Sequence, residues 1–239
     1  MSSASEKVVT TAKTRAKRSV GRPKQVSMEQ IFAAAATIGL GNLTLQAVAE
    51  ALGVTPPALY RHVQGREDLI AKFVKDVIER YPAPEYHGEG WAHWATLYAR
   101  ALMDVYGAVP GLADYSIRRT DTGHNILNRH EISIKAAMDS GFNEVSAFYA
   151  TRAIIEFVAG WVARHERRNV FERELKVHPD VEFKTHVLEE TGDDYPNLKA
   201  AVKAVTQLSA SHRFEFTLRA LIAGLESTMA AEAASKTKN

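Results

Sequence analysis

A chain of 239 residues, 46% hydrophobic and 24% charged, can bury a sizeable core as one or two domains and is not disordered as a whole. It has no cysteine, which excludes disulfides, thiolate zinc sites and thiol nucleophiles; its longest nearly apolar stretch, Ile31 to Leu40, is too short for a bilayer, and no signal-peptide core is evident, so a cytoplasmic protein with no membrane partner is expected. The net charge of +2 hides a polarity: seven cations against the single acid Glu6 between Met1 and Val26 give +6 and leave −4 for the rest, a distribution that suits a basic arm meeting a polyanion.

Residues 1–26 lack helical periodicity and are expected to be a disordered arm. Helical patterning starts at Ser27, an N-cap with Gln30 placed to complete a capping box, and Ile31, Ala34, Ala35 and Ile38 form the first apolar face before Gly39 and Gly41 stop it. A second helix is predicted from Thr44, with Leu45, Val48, Ala49 and Leu52 on one face and Gly53 at its end. Thr55 and Pro56 open a short third helix running to about Val63. After Gly65 a fourth begins at Glu67 and Asp68, and Ile70, Phe73, Val74, Val77 and Ile78 carry its apolar side to Tyr81. The Pro- and Gly-containing stretch 82–90 reads as a boundary, giving domains of 27–81 and 82–239. Further helices are predicted at roughly 91–107, 110–118, 122–140, 143–172, 179–191 and 196–233, the last with a break near Ser209; the polar segment 173–196 reads as a mobile excursion. No run alternates like a strand, so the fold class is all-α.

Two helices joined by the turn Gly53-Val54-Thr55, the second short, amphipathic and basic, meet the requirements of a helix-turn-helix. Leu45, Val48, Leu52, Val54, Leu59 and Val63 pack it internally and leave Pro56, Pro57, Ala58, Tyr60, Arg61 and His62 outward. Such a face suits the major groove, where Arg bonds guanine O6 and N7, and Ala or Pro touches a thymine methyl. The run from Leu43 to Val54, followed by Thr55-Pro56-Pro57-Ala58-Leu59-Tyr60-Arg61-His62-Val63 and Gly65-Arg66-Glu67-Asp68-Leu69, resembles the DNA-binding domain of the TetR family of repressors over about Ser27 to Tyr81. The stretch Phe214 to Glu226 is similar to the final dimerisation helix of the tetracycline-repressor branch.

The resemblance implies a cytoplasmic, nucleoid-associated bacterial regulator: a homodimer that binds a double-stranded operator, most simply a palindrome, and responds to a small-molecule effector that lowers operator affinity. It implies that Gln46, Pro56, Pro57, Ala58, Tyr60, Arg61 and His62 approach bases or backbone, with Thr44, Thr55 and Arg66 near phosphates. In the arm, Arg18-Ser-Val-Gly-Arg22-Pro-Lys24 suits a narrow A·T minor groove; counterion release alone also accounts for it, with Arg22 and Lys24 as DNA contacts in either case.

In the C-terminal part, the helix 143–172 carries Phe148, Ile154, Ile155, Phe157, Val158, Trp161 and Val162 around most of its circumference and is expected to be buried. The helix 211–233 has a large stripe (Phe214, Leu218, Leu221, Leu225) and a small one (Phe216, Ala220, Ala223, Gly224, Ser227). The two helices suit a four-helix interface between two copies, the alternative being monomer core. Trp91, Trp94, Tyr98 and Leu102 share a face that is either plain core or part of an effector pocket, with Trp94, Tyr98, Leu102, Tyr115, His124, Phe148, Arg152 and Glu156 as candidate lining residues. Arg152 and Glu156 could equally neutralise one another. The tetracycline-repressor branch coordinates magnesium through a His after helix five and a Glu on helix eight; ungapped alignment puts Tyr115 and Arg164 there, so no metal site and no cofactor is expected. Catalysis is disfavoured despite nine histidines: there is no His-Glu-x-x-His, His124 and His130 do not align on a helix face, and no Gly-x-Ser-x-Gly occurs. A nonspecific architectural DNA protein is the other rival, favoured only by the arm.

Overall fold

The computed structural model describes residues 26–118, 124–175 and 179–236, and they fold as helices α1 (Met28–Ile38), α2 (Leu45–Leu52), α3 (Pro56–Leu59), α4 (Arg66–Arg80), α5 (Trp91–Gly107), α6 (Leu112–Arg118), α7 (His124–Asp139), α8 (Glu144–Leu175), α9 (Pro179–Thr185), α10 (Pro196–Val205) and α11 (Ala210–Lys236). A 3₁₀ turn at Leu40–Asn42 and a π-helical turn at His186–Glu190 complete the set, and no strand occurs among the described residues. The fold is all-α, a small N-terminal unit on a larger helical bundle. The arm expected over 1–26 lies outside the described residues except for Val26, which is buried.

Local chemistry explains the N-terminal boundaries. Ser27 Oγ accepts from the Gln30 amide at 3.2 Å while Gln30 Oε1 accepts from the Ser27 amide at 3.1 Å, the reciprocal capping box, and Val26 and Ile31 on either side are both buried in the core. Thr44 caps α2 through a 3.0 Å bond from the Ala47 amide. Gly53 ends α2 in the left-handed region (φ 65°); its amide reaches the Glu50 carbonyl at 3.1 Å and the Val54 amide reaches Ala49 at 3.0 Å, a paired closure that turns the chain directly into α3.

The third helix is shorter than the sequence predicts, one turn at 56–59 and then non-helical turns to His62. Thr55 occupies the N-cap backbone position but makes no cap bond. Pro57 has no N–H to offer, and the Ala58 amide goes to the Thr55 carbonyl at 2.9 Å, so its hydroxyl is left at the surface.

In the larger unit, α8 is the central helix: α5, α6 and α7 pack along it, and α11 lies across α5 and α8. Ala147, Ala150, Ile154, Val158, Ala159, Val162 and Ala163 form its buried side. By length and composition alone α8 could cross a membrane, yet this side is covered by the neighbouring helices. The expectation that α8 is buried all round is corrected: Phe148, Glu156, Gly160 and Arg164 face outward, because the described helices packed on α8 leave this stripe uncovered. The 196–233 helix does break, and Ser209 is the cause, its hydroxyl accepting from the His212 amide at 3.1 Å to cap α11. Within the polar stretch 173–196 the helix expected over about 179–191 is present. The described part of 173–196 holds α9 and the π turn, where Val187 is 3% exposed.

Candidate nucleic-acid interface and effector cavity

The segment following the α2–α3 turn is presented by its own core. Leu43, Val48, Ala49, Leu59 and Val63 are buried, with Leu45, Leu52 and Val54 partly buried against them. Each full burial of an aliphatic side chain contributes roughly 1.5–3 kcal/mol, ample to fix a three-helix unit. Leu59 and Val63 are four residues apart, so anchoring both turns Thr55, Pro57, Tyr60 and Arg61 into solvent; Tyr60 is 59% exposed, while Pro56, Ala58 and His62 are half-buried at the edge. Thr44 and Gln46 are exposed on the adjoining start of α2, the Gln46 amide steadied by the Glu50 carboxylate at 2.7 Å.

Helix α4 grips this segment from behind. Lys72 Nζ donates to the His62 carbonyl and to Asp68 Oδ2, both at 2.9 Å, and the same carboxylate oxygen accepts from the Gln64 amide at 2.8 Å. The hydrogen bond from Lys72, then that from the Gln64 backbone, holds the Asp68 carboxyl below its usual range. Arg66, expected near phosphate, spends its Nε on the Leu43 carbonyl at 2.7 Å and one terminal nitrogen on Glu67 at 3.1 Å, tying the start of α4 to the residue before the α2 cap. Neither grip shows in sequence spacing. Arg22 and Lys24 lie outside the described residues.

The structure places the candidate effector residues in different settings. Tyr98 and Leu102 on α5 line a narrow cavity of about 70 Å³, together with Ile78 at the end of α4, Tyr106, Ser116 on α6, Arg129 and His130 on α7, and Ile155 on α8. Trp94 lies on the same face of α5 but one turn away, stacked on Tyr98 at 4.7 Å and fully buried; it supports the cavity wall. Tyr115 is half-buried beside Ser116. Phe148, 49% exposed, and Glu156 are on the outward side of α8, where Arg152 pairs with Glu156 at 2.7 Å, although the Arg152 charge is felt at the Tyr106 hydroxyl. His124 opens α7, and its side chain lies outside the described residues.

Burial pushes the Tyr98 and Tyr106 phenols up, so both remain neutral donors at neutral pH. Sequence reading passed over Arg129, Ser133 and Thr151: the last two share a 2.9 Å hydroxyl pair in the buried α7–α8 contact, and Arg129 is 6% exposed at the cavity. Their signal was weak, since a single polar residue in an amphipathic helix is ordinarily solvated.

Arg164 on α8, one of the two positions aligned with the magnesium-bearing residues of the tetracycline-repressor branch, lies among other cations: its charge acts at Arg168, as does that of Arg213. Such cations repel a divalent ion.

A short outward helix packed after a tight turn, backed by a long helix whose far end lines a cavity, defines a helix-turn-helix DNA-binding protein with a ligand-binding bundle. Residues 28–73 match the family described as bacterial regulatory proteins, tetR family, and residues 83–229 match the tetracyclin repressor-like C-terminal domain. The chain belongs to the tetR family, whose members are ligand-responsive DNA-binding repressors rather than enzymes, and which form dimers. It is 22% identical over 214 residues to the class E tetracycline repressor protein of Escherichia coli, covering 86% of this chain and 93% of that one. Among solved structures it is similar to ActR of Streptomyces coelicolor in complex with actinorhodin (TM-score 0.70, 23% identity, 86% of this chain and 97% of that one). It also resembles a TetR variant from Acinetobacter baumannii in complex with minocycline (TM-score 0.59, 20% identity, 85% and 98%). At these identities the structural likeness concerns the fold.

Proposed function

We propose that two copies of this chain bind a palindromic operator and release it when a small aromatic or apolar effector enters the cavity between α4, α5, α7 and α8. The observation that carries this is the placement of α4: its first turns hold the His62 and Gln64 backbone while Ile78, in its last turn, lines the cavity. An effector that prefers one position of Ile78 therefore moves the reading head, and operator affinity changes by the difference in its affinity for the two positions.

In this reading residues 27–81 are the DNA-binding unit and 82–239 the effector and dimer unit. Pro56, Pro57, Ala58, Tyr60, Arg61, His62 and Gln46 face base edges or backbone; Thr44 and Thr55 reach phosphate, and Arg66 acts there mainly by fixing the Leu43 carbonyl next to Thr44. Arg22 and Lys24 add counterion release, which keeps the protein with the nucleoid. The outward stripes of small residues on α11 (Ala220, Ala223, Gly224) and the bare Gly160 side of α8 allow close approach of the same helices from a second copy. ActR is solved with actinorhodin and the TetR variant with minocycline, which favours a small-molecule effector here.

Selection of bound duplexes from a random pool, followed by gel-shift titration at physiological salt, tests this. A two-fold symmetric site bound at least a thousandfold more tightly than random duplex is the expected result. Equal binding of the two refutes the reading.

A further inference from the structure

The cavity holds a cation that no carboxylate among the described residues of its wall neutralises. Arg129 is 6% exposed, and one of its terminal guanidinium nitrogens, Nη1, has no hydrogen-bond partner. The other, Nη2, makes only a 3.3 Å contact with the Ile78 carbonyl, which already accepts from the Tyr81 amide at the same distance. Among the described residues of the cavity wall there is no carboxylate: the polar groups facing Arg129 are the Tyr98 and Tyr106 phenols, the Ser116 hydroxyl and the His130 ring. His130 is turned back on its own helix, Nδ1 lying 2.8 Å from the Ile126 carbonyl. A buried, half-satisfied guanidinium is costly to the fold, and its desolvation lowers its hold on the proton. Such a cost persists at a site where an incoming group repays it.

We infer that the effector carries an acidic group, a carboxylate or an acidic phenol on an apolar or aromatic frame, which pairs with Arg129, and that this pairing draws the guanidinium away from the Ile78 carbonyl. The inference rests on the proposed effector cavity and names the chemistry of its ligand. A guanidinium offers parallel donors to two acid oxygens, so an acid recruits Nη1 and competes for Nη2, replacing the long bond to Ile78 with a short, charge-assisted one. Tyr98 and Tyr106, kept neutral by burial, are placed to donate to the same acid or to contact the ring that bears it. The last turn of α4 thereby loses a tie to α7. Acid binding and operator release become one event at a single side chain.

The test uses the full-length protein and pairs of probes that differ only in charge: 2-naphthoate with 2-naphthamide, benzoate with benzamide, and 9-anthracenecarboxylate with its amide. Binding is followed by calorimetry and by intrinsic fluorescence, to which Trp91, Trp94 and Trp161 all contribute, beside Arg129→Met and Arg129→Lys. At least one acid is expected to bind tenfold or more tightly than its amide and to loosen the operator complex, with the preference falling to about one in Arg129→Met and partly kept in Arg129→Lys. Arg129→Met is also expected to melt at or above the parent temperature, since it removes an uncompensated buried charge. No acid preference in any pair, a preference that survives Arg129→Met, or a fall of several degrees in its melting point overturns the inference. Operator discrimination is scored separately: its presence with no acid preference sinks this inference alone, and its absence sinks the proposed function.

Discussion

The Leu40 amide donates a 2.8 Å hydrogen bond to the Pro110 carbonyl, joining the turn after α1 to the turn before α6. Backbone approaches backbone there because glycine stands on both sides. Gly39 adopts φ +76°, and a Cβ on it would lie 3.0 Å from Pro110 Cβ; Gly111 adopts φ +85°, and a Cβ on it would meet the Gly41 nitrogen at 3.2 Å. The next residues of α6, Leu112 and Ser116, line the cavity, so this contact is a second link between reading head and effector unit.

Gly39→Ala combines left-handed backbone with a close contact to Pro110, and is expected to cost about 1–3 kcal/mol of stability. Thermal denaturation measures this, and gel shifts with an effector should show a blunted response. A melting point equal to that of the parent would mean the junction yields without cost.

Arg61→Ala is expected to lower operator affinity by about 1–3 kcal/mol and to relax preference at one base pair per half-site. Affinities for a set of single-base operator variants give the answer. Uniform weakening across the set would reassign Arg61 to a phosphate.

Lys72→Met removes the donor to the His62 carbonyl. The Lys72–Asp68 pair is largely solvated, with side chains 44% and 30% exposed, so the melting point should barely move, as exposed pairs of this kind contribute under about 1 kcal/mol. Operator affinity should fall several-fold because the end of the recognition segment is no longer held. A large drop in melting point with unchanged DNA binding would contradict this division of labour.

Glu166 of α8 accepts from the Gly111 amide at 3.1 Å, and burial raises its carboxyl above the usual range, outweighing that hydrogen bond; Asp114 adds to the rise and Arg167 opposes it. A carboxyl whose folded value is raised favours its protonated form in the native state. Its penalty is therefore absent in acid and grows as pH rises from the ordinary carboxylate range through the raised value. Glu166→Gln keeps an oxygen for Gly111 and removes the charge. It should melt with the parent near pH 4 and above it at pH 7; identical melting curves at both values would show that the charge costs nothing there.

Much of the fold was legible in the chain. The capping box at Ser27, the glycine at 53, the pair of anchors Leu59 and Val63 and the stop at Ser209 all act within a few residues, so their chemistry is written locally. The outward order of Tyr60 and Arg61 follows from the same spacing. The length of α3 is not set locally: only the packed structure decides whether the turn after Leu59 stays helical.

The effector region was less legible. Trp94, Tyr98 and Leu102 share a helical face, yet only the last two reach the cavity, because position along α5 relative to α4 and α7 depends on how the helices cross. Phe148 reads as core by hydropathy and is half-exposed, its ring meeting only the edge of the adjacent Tyr149 among the described aromatic rings.

What the sequence determined by itself was the succession of helices, their caps and the outward face of the helix-turn-helix, all governed by interactions between residues three or four apart. Tertiary structure alone decided that Arg129 meets Ile78 across 51 positions and Lys72 meets His62 across ten. Burial does not follow sequence distance: a guanidinium becomes a buried, half-satisfied cation only when separate helices close around it and exclude the water that would otherwise complete its hydrogen bonds.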